Sequence, residues 1–294
     1  MEIALVNKIK RLAIIALASD DTLMETLVLK GGNAIDLAYP PRNRGLSRTS
    51  YDLDYSIETG DFIEDQQAIR DRIRATLEKT FRENDMRIID FHFGPRPKKA
   101  NAATADFWGG YLTTFKVVDK IVYDQYPTDM ATQRRKAVPL RPNHSPTFEL
   151  EFSKYEFVGQ KEAVNVDGYT IYVYTREMIV FEKLRAICQQ LPAYVEILPS
   201  HTPRSRARDF YDMQGIMEQF QIDPGTPENK TLLEHIFAAK RVPLSFIRDI
   251  RSNLSLHTDD WNNVKDTVPP GETLQPFAFY VNYVLERFEP LTFL

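Results

Sequence analysis

LVLKGGNAIDLAYPPRNRGLSRTSYDLDYSI, Leu27 to Ile57, sets two glycines after one apolar run and two aspartates inside another. Both runs have strand character, and a basic, proline-containing connection joins them. In a strand, alternate side chains share a face, so Asp52 and Asp54 project together while Tyr51, Leu53 and Tyr55 cover the other side. Two carboxylates a strand step apart repel each other, and a cation or strong donors relieve that repulsion. A hard divalent ion such as Mg²⁺ takes oxygen ligands, commonly one or two protein carboxylates together with substrate phosphates. The plainer alternative is a half-buried strand whose acids simply face water.

The same alternation in FELEF puts Glu149 and Glu151 on one face, opposite Phe148, Leu150 and Phe152. If this strand lies beside the Asp strand, three or four carboxylates meet, enough for a two-metal site. Gly31 and Gly32 let the backbone approach a phosphate closely and offer N–H donors to it, with Asn33 placed to add a side-chain donor. A tight turn is the structural alternative for the glycine pair.

The 294 residues can bury a sizeable core in one large or two smaller domains, and 43% hydrophobic with 27% charged residues is ordinary for a globular chain. No apolar run reaches the ~18 residues of a membrane-spanning helix. The first ten residues lead into an amphipathic segment, so the expected compartment is the cytoplasm, with no membrane partner. The single cysteine, Cys188, excludes an internal disulfide and a thiolate zinc site, and it reads as a buried apolar residue. A formal charge of −4 does not announce a nucleic-acid binder. Four basic clusters nevertheless stand out: Pro40 to Arg48, Arg96 to Lys99, Arg134 to Lys136 and Arg204 to Arg208. Each alone is ordinarily a solvated loop; four on an acidic chain point toward a phosphate-rich ligand.

Periodicity predicts a helix over Ile3 to Ala18, strands at SYDLDYSI, MRIIDFHFG, LTTFKVVDKIVYD and TFELEFSKYEF, and a helix within Asp61 to Asn84. Pro127 to Pro146 is expected to be irregular. From about Thr175 the chain turns helical, over Arg176 to Leu191, Ala207 to Phe220, Thr231 to Ala239 and Leu274 to Phe288. The expected organisation is an α+β domain over 1–174 followed by a helical domain over 175–294.

Two blocks together resemble the nucleotidyltransferases of the AbiEii/AbiGii toxin family. The first is KGGNAIDL…RTSYDLDYSI, with Gly31, Gly32, Arg48, Ser50, Asp52, Leu53 and Asp54 at the motif positions. The second is EKLRAICQQ…RSRARDFYDM, with Glu182, Lys183, Arg208, Asp209 and Asp212. The chain departs from the family pattern at Asn33, where Ser or Thr is frequent, at Glu149, where lysine often lies, and in its longer span from Gly32 to Asp52.

The resemblance implies a polymerase-beta-like nucleotidyltransferase domain with a mixed sheet, a helical domain that completes the active site, and transfer of a nucleotidyl group from a nucleoside triphosphate with release of pyrophosphate. It implies Asp52, Asp54 and Glu151 as ligands of Mg²⁺ or Mn²⁺, with Lys183 and Asp209 as a further catalytic pair. It places Gly31, Gly32, Asn33, Arg48, Ser50, Lys183 and Arg208 at the nucleotide. Members are toxin halves of toxin–antitoxin or abortive-infection (phage defence) systems, so a cognate antitoxin is an implied partner, and RNA such as a tRNA 3′ end is the expected acceptor. A metal-dependent kinase, a nuclease or a protein-modifying nucleotidyltransferase could be built on the same carboxylates, and a binding module without turnover is a further alternative. On the helix, Lys183 is expected to reach a triphosphate oxygen as a point charge with Asp209 orienting it, while Arg208 and Asp212, four apart, are spaced for an ordinary helix ion pair.

Overall fold

The computed structural model describes residues 3–39, 52–99, 101–141, 143–265, 268 and 274–293. So far as their residues are described, two compact units divide the chain: Met1–Asn33 with Ser50–Val173, and Ala34–Thr49 with Tyr174–Leu294. One division falls just after the last strand and another inside a short helix, immediately after Asn33; the third lies outside the described residues.

The first unit is a mixed sheet with helices. Helix α1 (Ile3–Ala18) buries Val6, Ile9, Ala13, Ala16 and Leu17, a stripe at three- and four-residue spacing. Helix α2 (Asp21–Thr26) starts where the Asp20 carboxylate accepts from the Leu23 N–H. Strand β1 (Leu27–Lys30) is buried along its length and runs into helix α3 (Gly31–Ala38). Strand β2 (Leu53–Ile57) follows, then helix α4 (Gln66–Glu83), whose N-cap Asp65 accepts from Gln67 and Ala68. Ile69, Ile73, Leu77 and Phe81 of α4 face inward, and the Phe81 ring meets Phe115 edge-on at 5.8 Å. Strands β3 (Met86–Arg96) and β4 (Gly110–Asp119), short helices α5 (Lys120–Gln125) and α6 (Met130–Arg135), and strands β5 (Phe148–Ser153), β6 (Glu162–Val166) and β7 (Tyr169–Val173) complete the unit.

The sheet order is β3-β4-β5-β2-β1-β7-β6. Pairing is parallel between β2 and β5 and between β1 and β7, and antiparallel elsewhere. On β5 the alternation is complete: Phe148, Leu150 and Phe152 have no exposed surface while the two glutamates between them are half-buried.

Two expectations need correction. The strand expected to run through Asp124 stops at Asp119, because that carboxylate accepts from the Ile121 N–H and caps α5. The stretch expected to be irregular contains α6, started by Asp129 accepting from Thr132. The β6–β7 hairpin, not anticipated, turns at Asp167 and Gly168, both with positive φ, the Asp-Gly chemistry such two-residue turns require.

The second unit is helical among its described residues. It contains α7 (Arg176–Cys188), α8 (Ala207–Phe220), α9 (Pro227–Ala238), the short α10 (Phe246–Asp249), α11 (Leu254–Thr258) and α12 (Trp261–Lys265), and α13 (Phe277–Phe288). Thr175 caps α7 and Thr226 caps α9, with Pro227 at the first helical position. Val180, Phe181, Leu184 and Ile187 of α7 are buried, and Cys188 beside them is fully enclosed, its thiol pushed well above the ordinary value by that burial. Among the described residues, no helix is long and apolar enough to cross a membrane.

His257 gives this unit a pH response. Its ring is 1% exposed, its Nδ1 accepts from the Arg206 N–H at 3.0 Å, and it leans on Phe210. Burial lowers its pKa from 6.5 to about 4, with Arg206 helping and Asp209 and Asp260 opposing. An unfolded chain takes up the proton that folded His257 refuses, so stability is full above pH 6.5 and falls as the pH drops through the window down to about 4. His257→Gln is expected to flatten that fall; thermal unfolding of both proteins at pH 7 and pH 4.5 measures it, and equal pH slopes would refute the assignment.

Candidate active site

The site begins with strand register. In the parallel β2–β5 pair Asp54 is level with Glu151, and Leu53 with Leu150. In the antiparallel β1–β2 pair Lys30 is level with Asp54. Lys30, Asp54 and Glu151 therefore form one cross-sheet row on one face, while Leu53, Tyr55, Leu150 and Phe152 fill the core on the other. Asp52 stands one step before β2 begins, in a bend instead of the strand.

Gly31 closes the row at its β1 end. Its φ of +71° is one that side-chain-bearing residues rarely adopt, and an added Cβ would come within 3.4 Å of Asp54 Oδ2. The glycine pair thus opens α3 directly against a carboxylate of the row.

Asn33 has a structural task that its place after the glycines does not reveal. It is 5% exposed; its Oδ1 accepts from Lys10 Nζ at 3.1 Å, and its Nδ2 donates to the backbone carbonyl of Asp52 at 2.6 Å. Its amide is engaged on both sides within the protein and pins the segment carrying Asp52, so it serves as a strut beneath that acid. Arg48 and Ser50 lie outside the described residues, as does the Pro40 to Arg48 cluster.

The carboxylates share the face with two arginines. Arg141 Nη2 donates to Asp52 Oδ1 at 2.5 Å and lies 3.2 Å from Glu149 Oε1. Arg96 Nη1 donates to Glu151 Oε2 at 2.8 Å. Burial pushes the Asp52 carboxyl above the ordinary value; Arg141 and Arg96 pull it back, and Glu149 and Glu151 add to the rise. Among the described residues no three His, Cys, Asp or Glu side chains gather closely enough to hold a metal ion. Of the three acids expected to act together, Asp54 and Glu151 are level across the β2–β5 pair, while Asp52 and Glu151 each turn a carboxylate oxygen to a guanidinium group. The donor chemistry of Asp52, Asp54 and Glu151 fits a hard divalent cation, since all three offer carboxylate oxygens and the repulsion of Asp52 by Glu149 and Glu151 is the crowding a cation relieves.

Lys183 and Asp209 do meet, within the helical unit. Lys183 Nζ donates to Asp209 Oδ1 at 2.7 Å and to Asp212 Oδ2 at 2.8 Å, with 15%, 11% and 14% of the three side chains exposed. Burial disfavours the ammonium, yet attraction to Asp209 and Asp212 outweighs it and holds the lysine pKa above its ordinary value. Lys183 therefore stays protonated: it can act as a point charge but not as a proton acceptor. Asp212, spaced for Arg208, is drawn to Lys183, while Arg208 itself is exposed.

Of the other basic clusters, Arg134 is held by Asp90 in a fork at 2.7 to 3.0 Å, and Arg206 lies 3.6 Å from Asp209. Sequence reasoning passed over Arg141, Lys10 and Lys30. Lys30 Nζ lies 3.6 Å from Glu156 Oε1 and is largely buried, a placement legible only from its position directly before the glycines.

The profile of the family described as "Nucleotidyl transferase AbiEii toxin, Type IV TA system" matches residues 14–283, a span that includes the acids, glycines and arginines above and Lys183, but not Lys10. The chain belongs to the AbiEii nucleotidyl transferase toxin family. No curated protein matches the sequence. Among solved structures it is similar to JHP933 from Helicobacter pylori, with TM-score 0.52 and 19% identity over 97% of this chain and 91% of that one. A provisionally assigned nucleotidyltransferase of H. pylori is similar with TM-score 0.50 and 20% identity, covering 97% and 93% of the two chains. At such identity the likeness establishes the nucleotidyltransferase fold, and family membership establishes the enzyme class.

Two outcomes follow for this AbiEii nucleotidyltransferase. Asn33→Ala removes the strut under Asp52 and is expected to cost about 1–3 kcal/mol in denaturant unfolding; an unchanged midpoint would show that the strut is dispensable. Lys183→Met leaves Asp209 and Asp212 facing each other and is expected to cost on the order of 2–3 kcal/mol, less than a fully buried pair because some water reaches it. A double-mutant cycle with Asp209→Asn measures the coupling, and additive losses would deny a shared role.

Proposed function

We propose that this protein transfers a nucleoside monophosphate from a nucleoside triphosphate to an RNA acceptor such as a tRNA 3′ end, using Mg²⁺ or Mn²⁺ held by Asp52, Asp54 and Glu151. The observation that carries the reading is the register that sets Asp54 level with Glu151, beside a glycine whose backbone meets the Asp54 carboxylate. Bound there, a divalent cation supplies Lewis-acid stabilisation for the attacking hydroxyl and for the departing pyrophosphate.

The chain's own groups do the rest. Asn33, anchored by Lys10, fixes the backbone that presents Asp52. Gly31 keeps the space above Asp54 free of a side chain, so that phosphate oxygens can come close to the N–H groups opening α3. Glu151, the member level with Asp54, takes the proton of the attacking hydroxyl. Within the helical unit, Lys183, kept protonated by its two aspartates, is a point charge of the kind that a phosphate attracts. Support for an RNA acceptor comes from Arg204 and Arg208, exposed cations at the start of α8. The type IV toxin–antitoxin description of the family carries with it a cognate antitoxin as partner.

The test is incubation of the purified protein with Mg²⁺, each alpha-labelled triphosphate in turn and total cellular RNA. Label is expected in an RNA species, with release of pyrophosphate, from at least one triphosphate. Asp54→Asn and Asp52→Asn are each expected to lower the rate on the order of 10²-fold or more while leaving the protein folded. Wild-type transfer by either variant, or label appearing only in protein, would overturn the corresponding part of the reading.

A further inference from the structure

The proposed acidic site already contains cations of its own, and one of them stands between two acids. Arg141 lies in the chain between α6 and β5, outside every motif by which the family resemblance was traced. A single guanidinium nitrogen, Nη2, serves both Asp52 Oδ1 at 2.5 Å and Glu149 Oε1 at 3.2 Å. The three side chains are 26%, 40% and 33% exposed, so water screens the contacts. This is an exchangeable arrangement, unlike the buried bond that holds a core together.

We propose that Arg141 is a positioning residue of the transfer site: a resident counter-cation that holds Asp52 beside Glu149 and must release Asp52 before that carboxylate can serve a divalent ion. The proposal rests on the metal-dependent reading above. A guanidinium and a divalent ion seek the same carboxylate oxygens, so the two compete for Asp52. Glu149 gives Arg141 somewhere to remain once it lets go. Glu149 is two residues from Glu151 on the same face of β5, and so it retains Arg141 at the edge of the row instead of losing it to solvent. Without cation, Arg141 prevents Asp52 and Glu149 from repelling each other; with cation, Arg141 shifts its weight to Glu149. The glutamate at position 149 and the arginine at 141 then have one joint purpose.

The experiment titrates the full-length protein with Mn²⁺ alone, without nucleotide, by calorimetry or by the electron paramagnetic resonance signal of free Mn²⁺. Arg141→Gln removes the competitor and is expected to bind Mn²⁺ about fivefold more tightly than wild type, the upper range for a water-exposed ion pair. Glu149→Gln confines Arg141 to Asp52 and is expected to bind Mn²⁺ several-fold more weakly. Arg141→Lys keeps the charge and is expected to fall between wild type and Arg141→Gln. An arginine that acted only through its charge would leave Arg141→Lys equal to wild type, so the intermediate affinity of that variant reports the bond given up to Asp52. Unchanged or weaker binding by Arg141→Gln, or unchanged or tighter binding by Glu149→Gln, overturns the proposal while leaving the metal-dependent reading in place. Wild type failing to bind Mn²⁺ both alone and in the presence of a non-hydrolysable nucleoside triphosphate overturns both. Should Arg141→Gln be insoluble, Glu149→Gln and Arg141→Lys carry the same decision.

Discussion

Everything at the site depends on the parallel pairing of β2 with β5 in one register. With Leu53 level with Leu150, the apolar members of both strands enter the core and the acids are forced together on the opposite face. A slip of one residue would bury Asp54 or Glu151 and expose Leu150, a change the core would resist at every position along the strand. The hydrophobic face therefore specifies the electrostatics of the other: burial of Phe148, Leu150 and Phe152 holds Glu149 and Glu151 beside the aspartates despite their repulsion.

Crowding like charges requires compensation, and the protein provides it locally. Arg141 and Arg96 answer Asp52, Glu149 and Glu151, and Lys183 answers Asp209 and Asp212 in the helical unit. The two solutions differ in solvent access. The Lys183 cluster is mostly enclosed, which keeps its lysine charged, while the Arg141 and Arg96 contacts are open to water and screened. An enclosed pair is suited to keeping a group in a fixed state, and a screened pair to exchanging one cation for another.

The basic clusters show how the same composition is divided between tasks. Arg134 is committed to Asp90 across a bulge in β3, Arg96 to Glu151 and Arg206 to the neighbourhood of Asp209, so part of the positive charge that seemed available to a ligand balances internal acids. Arg204 and Arg208 remain exposed on the surface. A run of arginines in a sequence states how much charge there is; partners from other strands and helices decide where it is used.

Sequence alone determined the periodic elements and the chemistry of the row. The apolar stripe of α1, the alternation of β5, the aspartates near β2 and the glycine pair before α3 are local patterns, and local backbone geometry suffices to interpret them. The Asp-Gly turn between β6 and β7 was equally legible, although it went unused. Tertiary structure decided what local pattern cannot encode: that β5 lies beside β2, that Asn33 turns its amide to the Asp52 carbonyl and Lys10, that Asp119 ends a strand by capping a helix, and that Arg141 stands between Asp52 and Glu149, 89 residues from the former. These are contacts between groups distant in the chain, fixed by which faces the folded core buries together, and no spacing rule within a strand or helix contains them.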